Sequence, residues 1–359
     1  MIIAHISDTH LGAMPYGLKE RSDDFYDVFN EAIEITIKDH IKIVVHSGDV
    51  FDSPKPPGLA VKNLYAGLKK LEDAGSRMLF VLGEHDISRM KDVPYPLLLG
   101  EMGFATYVGD GVPHEIEGIN FIGFRKHRRS EIDLLRKKLS ELKQNPGKNV
   151  LVLHQGLTEF NKYAGEIQTS DLPVWFDYYA MGHIHEPGIK KFADLRGPVS
   201  YAGSTEASAG FNVVDLSGDE TRVERVNLET ARKSFKFEIK YDELQKHIER
   251  ILKEISGLRK KPIVTVVVSG KNISRATVSS ALRPVNEASL LLQVKFEEEE
   301  TKGLLGEKPS DLKTEMLKQA ERILGKDGVF AIEELLPLAD DAEGMANRLW
   351  EAFEKGELG

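Results

Sequence analysis

Gly182-His183-Ile184-His185-Glu186-Pro187 follows an apolar run and contains two histidines two residues apart. On an extended segment the side chains of residues i and i+2 share a face, so both imidazoles point the same way. In α/β folds, functional residues gather where loops leave the carboxyl ends of strands. Four further polar clusters each follow a short apolar run upstream: Asp8-Thr9-His10, Gly48-Asp49-Val50-Phe51-Asp52, Gly83-Glu84-His85-Asp86 and Leu153-His154-Gln155-Gly156. This repeated placement predicts an α/β fold whose strand ends build one common site.

The length and composition of the chain limit its class. With 359 residues, 41% of them hydrophobic and 29% charged, it is expected to be soluble and globular, with two domains or one domain with appendages. No apolar run approaches the roughly 18 residues that span a bilayer, and residues 1–6 are too few for a secretory signal. We therefore expect a cytoplasmic protein without membrane contact. The absence of cysteine excludes disulfides, thiolate-bound zinc and a cysteine nucleophile.

The net charge of -9 neither indicates nor excludes nucleic-acid binding, which is more typical of basic domains. Basic side chains that can meet phosphates occur in two short runs. Each run is also typical of a solvated surface. The candidate DNA contacts in them are Arg125, Lys126, Arg128, Arg129, Arg259, Lys260 and Lys261.

Short apolar runs alternate with helical stripes in the first part of the chain. Ser22 is expected to cap a helix whose apolar stripe begins at Phe25 and continues to Ile37. A second helix is expected over 59–73. The apolar residues 97–99 fit either the core or a dimer contact, and we expect the core.

The pattern changes at residue 229, which divides the chain into predicted parts. Residues 1–228 form the first domain, and 229–300 form a small α+β domain. Residues 301–310 read as a charged linker, and 311–359 form a helical module. Apolar side chains at helical spacing in this module are Leu312, Met316, Met345, Leu349, Trp350 and Phe353.

The polar clusters supply oxygen and nitrogen ligands for metal ions. The candidates are Asp8, His10, Asp49, Glu84, His154, His183 and His185. Seven such ligands without sulfur are too many for one tetrahedral zinc, and they suit a pair of divalent ions bridged by one carboxylate. Manganese is favoured over magnesium. Two such ions lower the pKa of a bridging water and stabilise both oxygens of a phosphoryl transfer.

The ordered blocks resemble the calcineurin-like metallophosphoesterase superfamily over residues 1–227. The opening Ile6-Ser7-Asp8-Thr9-His10-Leu11-Gly12, the block Ser47-Gly48-Asp49-Val50-Phe51-Asp52, the small domain and the terminal helices are similar to one group within it. That group is the double-strand-break repair nucleases of the meiotic recombination eleven/SbcD family, in its archaeal form. The resemblance implies a metallophosphoesterase β-sandwich flanked by helices, with a small α+β capping domain and C-terminal helices.

The resemblance also implies roles for individual residues. One Mn²⁺ would be held by Asp8, His10 and His185, the second Mn²⁺ of each subunit by Glu84, His154 and His183, and Asp49 would bridge the two. His85 would protonate the leaving 3′ or 5′ oxygen or stabilise the developing charge, a task suited to an imidazole near neutral pH. Asp86 would either orient His85 or cap a turn.

Two positions depart from the family pattern. The family usually has asparagine where this chain has Glu84, so the ligand set gains one negative charge. We expect Glu84 still to bind metal, at a cost in rate or with an altered metal preference. Asp52 stands where a histidine can occur, and it either orients a ligand or binds nothing.

The function implied by the resemblance is a manganese-dependent nuclease, a double-strand exonuclease and single-strand endonuclease that acts on DNA ends. It would work as a homodimer with an SMC-like coiled-coil ATPase of SbcC type. The small domain would cap DNA or serve as a structural lid, and the helical module would dock on the ATPase or pack on its own domain. Two alternatives are a small-nucleotide phosphodiesterase and a DNA-end-binding scaffold whose catalysis is weakened by Glu84.

Overall fold

The computed structural model describes residues 1–88, 92–298, 312–336 and 342–355. The chain divides into two compact units, one of Met1–Val268 with Arg275–Lys295 and one of Ser269–Ser274 with Phe296–Gly359. The predicted linker 301–310 lies outside the described residues, so the predicted domain boundaries around it stay predictions.

Strands and helices alternate through most of the described chain. The strands are β1 (Ile2–Ile6), β2 (Ile43–His46), β3 (Arg77–Phe80), β4 (Thr106–Tyr107), β5 (His114–Ile116), β6 (Ile119–Phe124), β7 (Lys148–His154), β8 (Tyr178–Gly182), β9 (Gly188–Lys190), β10 (Val199–Tyr201), β11 (Gly210–Asp215), β12 (Arg222–Asn227), β13 (Ser234–Lys240), β14 (Ile263–Gly270) and β15 (Leu291–Glu298). The α-helices are α1 (Lys19–Lys38), α2 (Gly58–Asp73), α3 (Tyr95–Glu101), α4 (Ile132–Glu141), α5 (Leu244–Ile255), α6 (Arg275–Ala281), α7 (Arg283–Ala288), α8 (Leu312–Phe330) and α9 (Ala342–Glu354).

Two six-stranded sheets form the first domain. The first has the order β12-β11-β1-β2-β3-β4, and the second has the order β5-β6-β7-β8-β10-β9. Strands β1, β2 and β3 are parallel to each other, as are β6, β7 and β8. Parallel strands put their carboxyl ends at one edge of a sheet, which is where the polar clusters follow in the sequence.

The two sheets pack face to face around one buried cluster. It contains Ile43 and Leu79 from the first sheet and Phe121 and Val150 from the second. Helices α1 and α2 cover the outer face of the first sheet, and α4 covers that of the second. Strands covered on both faces are apolar throughout, which explains the short uninterrupted apolar runs of the sequence. The predicted α/β sandwich flanked by helices is therefore confirmed.

Helix α1 starts four residues earlier than predicted. Ser22 is not its cap, because the carbonyl of Leu18 accepts from the backbone N–H groups of both Arg21 and Ser22, so the first turn already begins at Lys19. The expected stripe is correct from Phe25 onward. Helix α2 agrees with the predicted 59–73 within one residue. In α3, Leu99 is buried and Leu98 is exposed, so the apolar residues there are only partly core.

The small α+β domain has the sheet order β13-β14-β15. Helix α5 buries Leu244, Ile248, Ile251 and Ile255, which recur on one helical face. These elements confirm the α+β pattern that was predicted from residue 229 onward.

A buried carboxylate joins α1 to the start of the small domain. Asp24 is fully buried and accepts from Arg21 Nη1 at 2.8 Å, Arg232 Nε at 2.6 Å and Lys260 Nζ at 3.0 Å. Lys260 also lies 2.7 Å from Asp27 Oδ2. A buried charge is tolerated only when it is paired in this way. Lys260 was predicted as a DNA contact, but its ammonium is engaged within the protein.

The second unit contains α8, a π-helical turn over Ala331–Leu335, and α9. On α9, Met345 is half-buried, whereas Leu349, Trp350 and Phe353 are exposed. The side chains of Leu312 and Met316 lie outside the part of the chain that is described. Within that part, no helix is both long enough and apolar enough to cross a bilayer.

Candidate dinuclear metal centre

All seven predicted metal ligands converge at one edge of the sandwich. Asp8 and His10 follow β1, Asp49 follows β2, and Glu84 follows β3 in the first sheet. The second sheet contributes the remaining three: His154 ends β7, and His183 and His185 follow β8. Each sheet therefore contributes only part of the site.

Four of these residues have a left-handed backbone conformation, which directs their side chains into the site. The φ angles are +50° at Asp8, +42° at His10, +54° at Asp49 and +91° at His183. Non-glycine residues adopt this region at a cost of about 1–3 kcal/mol each, and such strain clusters at functional sites. A close approach elsewhere requires glycine: a Cβ added to Gly83 would lie 2.1 Å from Asp49 Oδ1. The turns are built to direct polar side chains toward a common point.

The first ligand group consists of Asp8, His10 and His185. His185 Nε2 lies 3.7 Å from Asp8 Oδ1 and 3.2 Å from His10 Nε2. The backbone N–H of His183 donates to Asp8 Oδ1 at 3.2 Å. One ligand atom from each of the three lies within 4.8 Å of those of the other two, which is compatible with one shared ion.

The second ligand group consists of Glu84, His154 and His183. Glu84 Oε2 lies 3.2 Å from His154 Nε2, and Glu84 Oε1 lies 3.0 Å from His183 Nδ1. The other nitrogen of His154, Nδ1, donates to the Ser47 carbonyl at 2.8 Å. That bond fixes the ring so that Nε2 faces the carboxylates and is the nitrogen available to a metal.

Asp49 lies between the two groups. Its Oδ2 is 4.0 Å from His10 Nε2 and 3.3 Å from His154 Nε2. This is the position required of a carboxylate that bridges two ions.

The donor atoms fit a pair of divalent cations. His154 Nε2 is buried without a hydrogen-bond partner, and it faces the carboxylates of Asp49 and Glu84. Two imidazole nitrogens, those of His10 and His185, also face each other. Nitrogen and oxygen donors without sulfur suit manganese, magnesium and related ions.

Two carboxylates of the site, those of Asp49 and Glu84, are charged at neutral pH. Burial raises the pKa of Asp49, but the imidazoles of His154 and His10 outweigh it and lower that pKa to about 2. Burial likewise raises the pKa of Glu84, and His154 and His183 outweigh it and pull that pKa far below its usual range. Negative charge in this position attracts cations.

His85 is placed by backbone contacts. Its Nδ1–H donates to the carbonyl oxygen of Asp52 at 2.8 Å, and its backbone N–H donates to Asp49 Oδ1 at 2.8 Å. Its ring makes an edge contact with the His10 ring at 4.9 Å between centroids. The bond at Nδ1 reserves Nε2 for proton transfer.

Asp86 does not orient His85, so that part of the prediction is wrong. Its buried carboxylate accepts from the backbone N–H groups of Gly83 at 2.9 Å, Phe51 at 3.0 Å and Val50 at 3.3 Å. Asp86 therefore caps the turn, which was the other role considered.

Asp52 lies beside the ligand His10, which favours the orienting role of the two left open for it. Its Oδ1 lies 3.4 Å from His10 Nδ1, on the side of the ring away from the site. Carboxylates in this position fix the orientation and tautomer of metal-binding histidines.

Three residues around the second ligand group were not predicted as part of the site. Lys126, predicted as a DNA contact, is only 7% exposed, and its Nζ lies 2.7 Å from Glu166 Oε2 and 3.4 Å from Glu84 Oε2. Gln155 donates to the same Glu166 oxygen at 2.6 Å. Gln155 is adjacent to His154 in sequence, which is a weak indication that it belongs to the site. Nothing in the sequence indicates that Glu166 does.

The remaining candidate DNA contacts are exposed or pair with residues outside the ligand groups. Arg128, Arg129 and Arg259 are exposed. Arg125 is partly exposed and pairs with Glu131 at 3.6 Å, and Lys261 donates to the Glu287 carbonyl at 2.8 Å. Their contact with DNA stays a prediction.

Comparison with known proteins agrees with this site. The profile of the calcineurin-like phosphoesterase family matches residues 1–187. The DNA double-strand break repair protein Mre11 of Sulfurisphaera tokodaii is 31% identical over 300 residues, which are 79% of this chain and 77% of that protein. The Mre11 protein of Methanococcus maripaludis is 32% identical over 287 residues, 74% of this chain and 77% of that protein.

Solved structures match more weakly. A dimetal phosphatase from Danio rerio aligns with 63% of this chain and 96% of its own, at 12% identity and a TM-score of 0.45. The family profile and the sequence relatives confirm the predictions of a metallophosphoesterase fold and a metal-dependent hydrolase. The chain belongs to the calcineurin-like phosphoesterase family and, within it, to the family of the archaeal Mre11 proteins.

Proposed function

We propose that this protein is a metal-dependent DNA nuclease that processes the ends of double-strand breaks. The observation that carries the proposal is the convergence of two ligand groups on Asp49, in a chain whose relatives are named DNA double-strand break repair proteins. A pair of divalent cations, when bound, supplies an activated water and offsets the charge on the attacking and leaving oxygens of a phosphodiester.

The residues of the chain have separate tasks in this reaction. Asp8, His10 and His185 would hold one cation, Glu84, His154 and His183 would hold the other, and Asp49 would serve both. His85 donates a proton from Nε2 to the leaving oxygen, because its Nδ1–H is engaged by the Asp52 carbonyl. Two Mn²⁺ ions per subunit are our proposed cofactors.

We further propose double-strand exonuclease and single-strand endonuclease activities. The exposed Arg128, Arg129 and Arg259 are candidates for contact with DNA phosphates. The protein would act as a homodimer with an SMC-like ATPase of SbcC type. The exposed Leu349, Trp350 and Phe353 of α9 support a docking role, because aromatic anchors are typical of helix-in-groove binding.

One observation favours a second candidate function. Glu84 adds a carboxylate to the second ligand group, so the site holds cations more strongly and attracts a phosphodiester less. A DNA-end-binding scaffold with weak catalysis is the resulting alternative.

A cleavage assay on labelled duplex and single-stranded DNA tests the proposal. Wild type, His85→Gln and Glu84→Asn are compared with Mn²⁺, with Mg²⁺ and with EDTA. We expect Mn²⁺-dependent cleavage by the wild type and its loss in His85→Gln. If Glu84→Asn cleaves DNA while the wild type binds duplex DNA but does not cleave it, the result would favour the DNA-end-binding scaffold. Hydrolysis of a small phosphodiester without DNA cleavage would indicate a small-nucleotide phosphodiesterase instead.

A further inference from the structure

Lys126 is fixed beside the second ligand group by its backbone. It follows β6, and its N–H donates to the carbonyl of Leu82 at 2.8 Å, two residues before Glu84. The next residue, His127, exchanges two hydrogen bonds with the Gln155 side chain, at 3.1 and 2.8 Å. Gln155 directly follows the ligand His154. The segment is therefore anchored to two of the loops that carry ligands.

The ammonium group of Lys126 is also held in place. Glu166 Oε2 accepts from Lys126 Nζ at 2.7 Å, and the same oxygen accepts from Gln155 Nε2 at 2.6 Å and from the Gly156 N–H at 3.2 Å. The side chains of Lys126 and Glu166 are 8% and 9% exposed. A buried charge held by several hydrogen bonds is poorly screened by salt and water.

This fixed cation lies against one ligand group. Lys126 Nζ is 3.4 Å from Glu84 Oε2 and 3.4 Å from His183 Nε2, both in the second ligand group. The other two carboxylates of the site, those of Asp8 and Asp49, form ion pairs with histidines. Asp8 pairs with His185, and Asp49 pairs with His10 and His154. The positive charge of Lys126 therefore acts mainly on the second group.

We propose that Lys126, acting through Glu84, weakens the binding of the second metal ion. The inference rests on the proposed two-metal centre. A metal ion bound by Glu84 shares that carboxylate with the ammonium and is repelled by it. The first ion, held by Asp8, His10 and His185, has no such neighbour in these ion pairs. The two ions consequently bind with different affinities, and Lys126 is a positioning residue that sets the difference.

Titration with Mn²⁺ in the absence of DNA tests this inference. Binding is followed by isothermal titration calorimetry and by the electron paramagnetic resonance signal of free Mn²⁺, so that cleavage is not needed as a readout. The wild type is expected to show one tighter and one weaker site. In Lys126→Met the weaker site tightens by about tenfold, because its electrostatic competitor is gone, and the tighter site keeps its affinity.

Arg125→Met is the matched control. It removes the same charge from the neighbouring residue, whose side chain pairs with Glu131 at 3.6 Å. Both Mn²⁺ affinities should remain those of the wild type. An equal tightening in Arg125→Met would show that the effect is one of net charge, and it would overturn the proposal.

Two further variants guard against misfolding. Lys126→Met leaves Glu166 buried without its cation, so the charge-balanced double variant Lys126→Met/Glu166→Gln is titrated as well, and the same tightening is expected. Glu166→Gln alone releases the ammonium toward Glu84, so the second ion should bind more weakly. Thermal unfolding checks that every variant is folded.

The outcomes separate this inference from the proposed function. If the weaker site is unchanged in both the single and the double Lys126 variants, Lys126 has no part in metal affinity, although a protein that binds two Mn²⁺ and cleaves DNA is still a nuclease. If the folded wild type binds fewer than two Mn²⁺, the two-metal centre itself is wrong.

Discussion

Asp52 contacts two imidazoles of the site with different atoms. Its carboxylate lies 3.4 Å from His10 Nδ1, and its backbone carbonyl accepts from His85 Nδ1. A side-chain substitution therefore separates the two contacts, since it removes the carboxylate and keeps the carbonyl.

Asp52→Ala should weaken the binding of the first Mn²⁺ by about 10- to 100-fold, as is usual for loss of the partner of a metal-binding histidine. Asp52→Asn, which keeps an oxygen acceptor for His10, should retain most of the affinity. Calorimetric titration with Mn²⁺ measures both. Equal losses in the two variants would contradict a role through the contact between Asp52 Oδ1 and His10 Nδ1.

Asp86 and His85 are neighbours with opposite expected phenotypes. Asp86→Ala leaves three backbone N–H donors without their acceptor, and each buried unsatisfied donor costs about 1–3 kcal/mol. We expect a clear fall in the thermal unfolding temperature. His85→Gln should unfold as the wild type does and lose cleavage. An Asp86→Ala protein of normal stability would contradict the capping role.

The individual residues of the site also differ in how far the sequence alone predicts their contacts. The seven metal ligands were predictable because each follows a strand, and parallel strands end at a common edge. The contact between Lys126 and Glu166 was not, because 40 residues separate them and the basic run that contains Lys126 gives no indication of Glu166. The choice between the two roles considered for Asp86 could not be made from the sequence for another reason: backbone N–H groups are present everywhere and leave no sequence signal.

At the scale of elements, Asp24 connects α1 to the start of the small domain. Burial raises the pKa of Asp24, but hydrogen bonds from Arg232 and Lys260 outweigh it and lower that pKa below its usual value. The carboxylate therefore stabilises the fold above the pKa that it has in the unfolded chain, near 3.9. This stabilisation is lost as the pH falls through the lower pKa of the folded state.

Asp24→Asn should reduce the free energy of unfolding by about 3 kcal/mol, because buried cations lose their anionic partner. Denaturant unfolding at pH 7 measures this. Asp23→Asn is the control, since Asp23 is its exposed neighbour and pairs only with Lys19 among the ion pairs described. Similar losses in both variants would contradict the special role of the buried position.

Helix limits were less predictable than the existence of helices. The start of α1 was placed at Ser22 because serine is a common cap, but the carbonyl of Leu18 already accepts the first helical bonds. The docking of the small domain through Asp24 could not be foreseen, because Asp23 and Asp24 directly follow the predicted cap Ser22, and acidic residues there are ordinarily explained by the helix dipole.

At the scale of the whole molecule, two buried histidines couple stability to pH. Burial lowers the pKa values of His5 and His46 to about 3. The folded protein therefore keeps both neutral, while the unfolded chain binds protons below about pH 6.5. Stability should fall as the pH drops from 6.5 toward 3, by up to about 1.4 kcal/mol per pH unit for each histidine.

Denaturant unfolding in EDTA at pH 7, 5.5 and 4.5 tests this coupling, since chelation removes the effect of metal binding. His5 bonds Tyr178 and Ser47 rather than a metal ligand, so His5→Gln should reduce the dependence on pH without abolishing it. A stability that does not change between pH 7 and 4.5 would contradict the low pKa values.

The division of the ligands between two sheets has a consequence for the synthesis of the protein. Strand β1 emerges first from the ribosome, but its antiparallel neighbour β11 is made some two hundred residues later. At a synthesis rate of about 5–20 residues per second, Asp8 waits on the order of ten seconds or more for His185 to be translated. A nascent chain therefore has no complete ligand group for either ion until residues 183 and 185 have been synthesised.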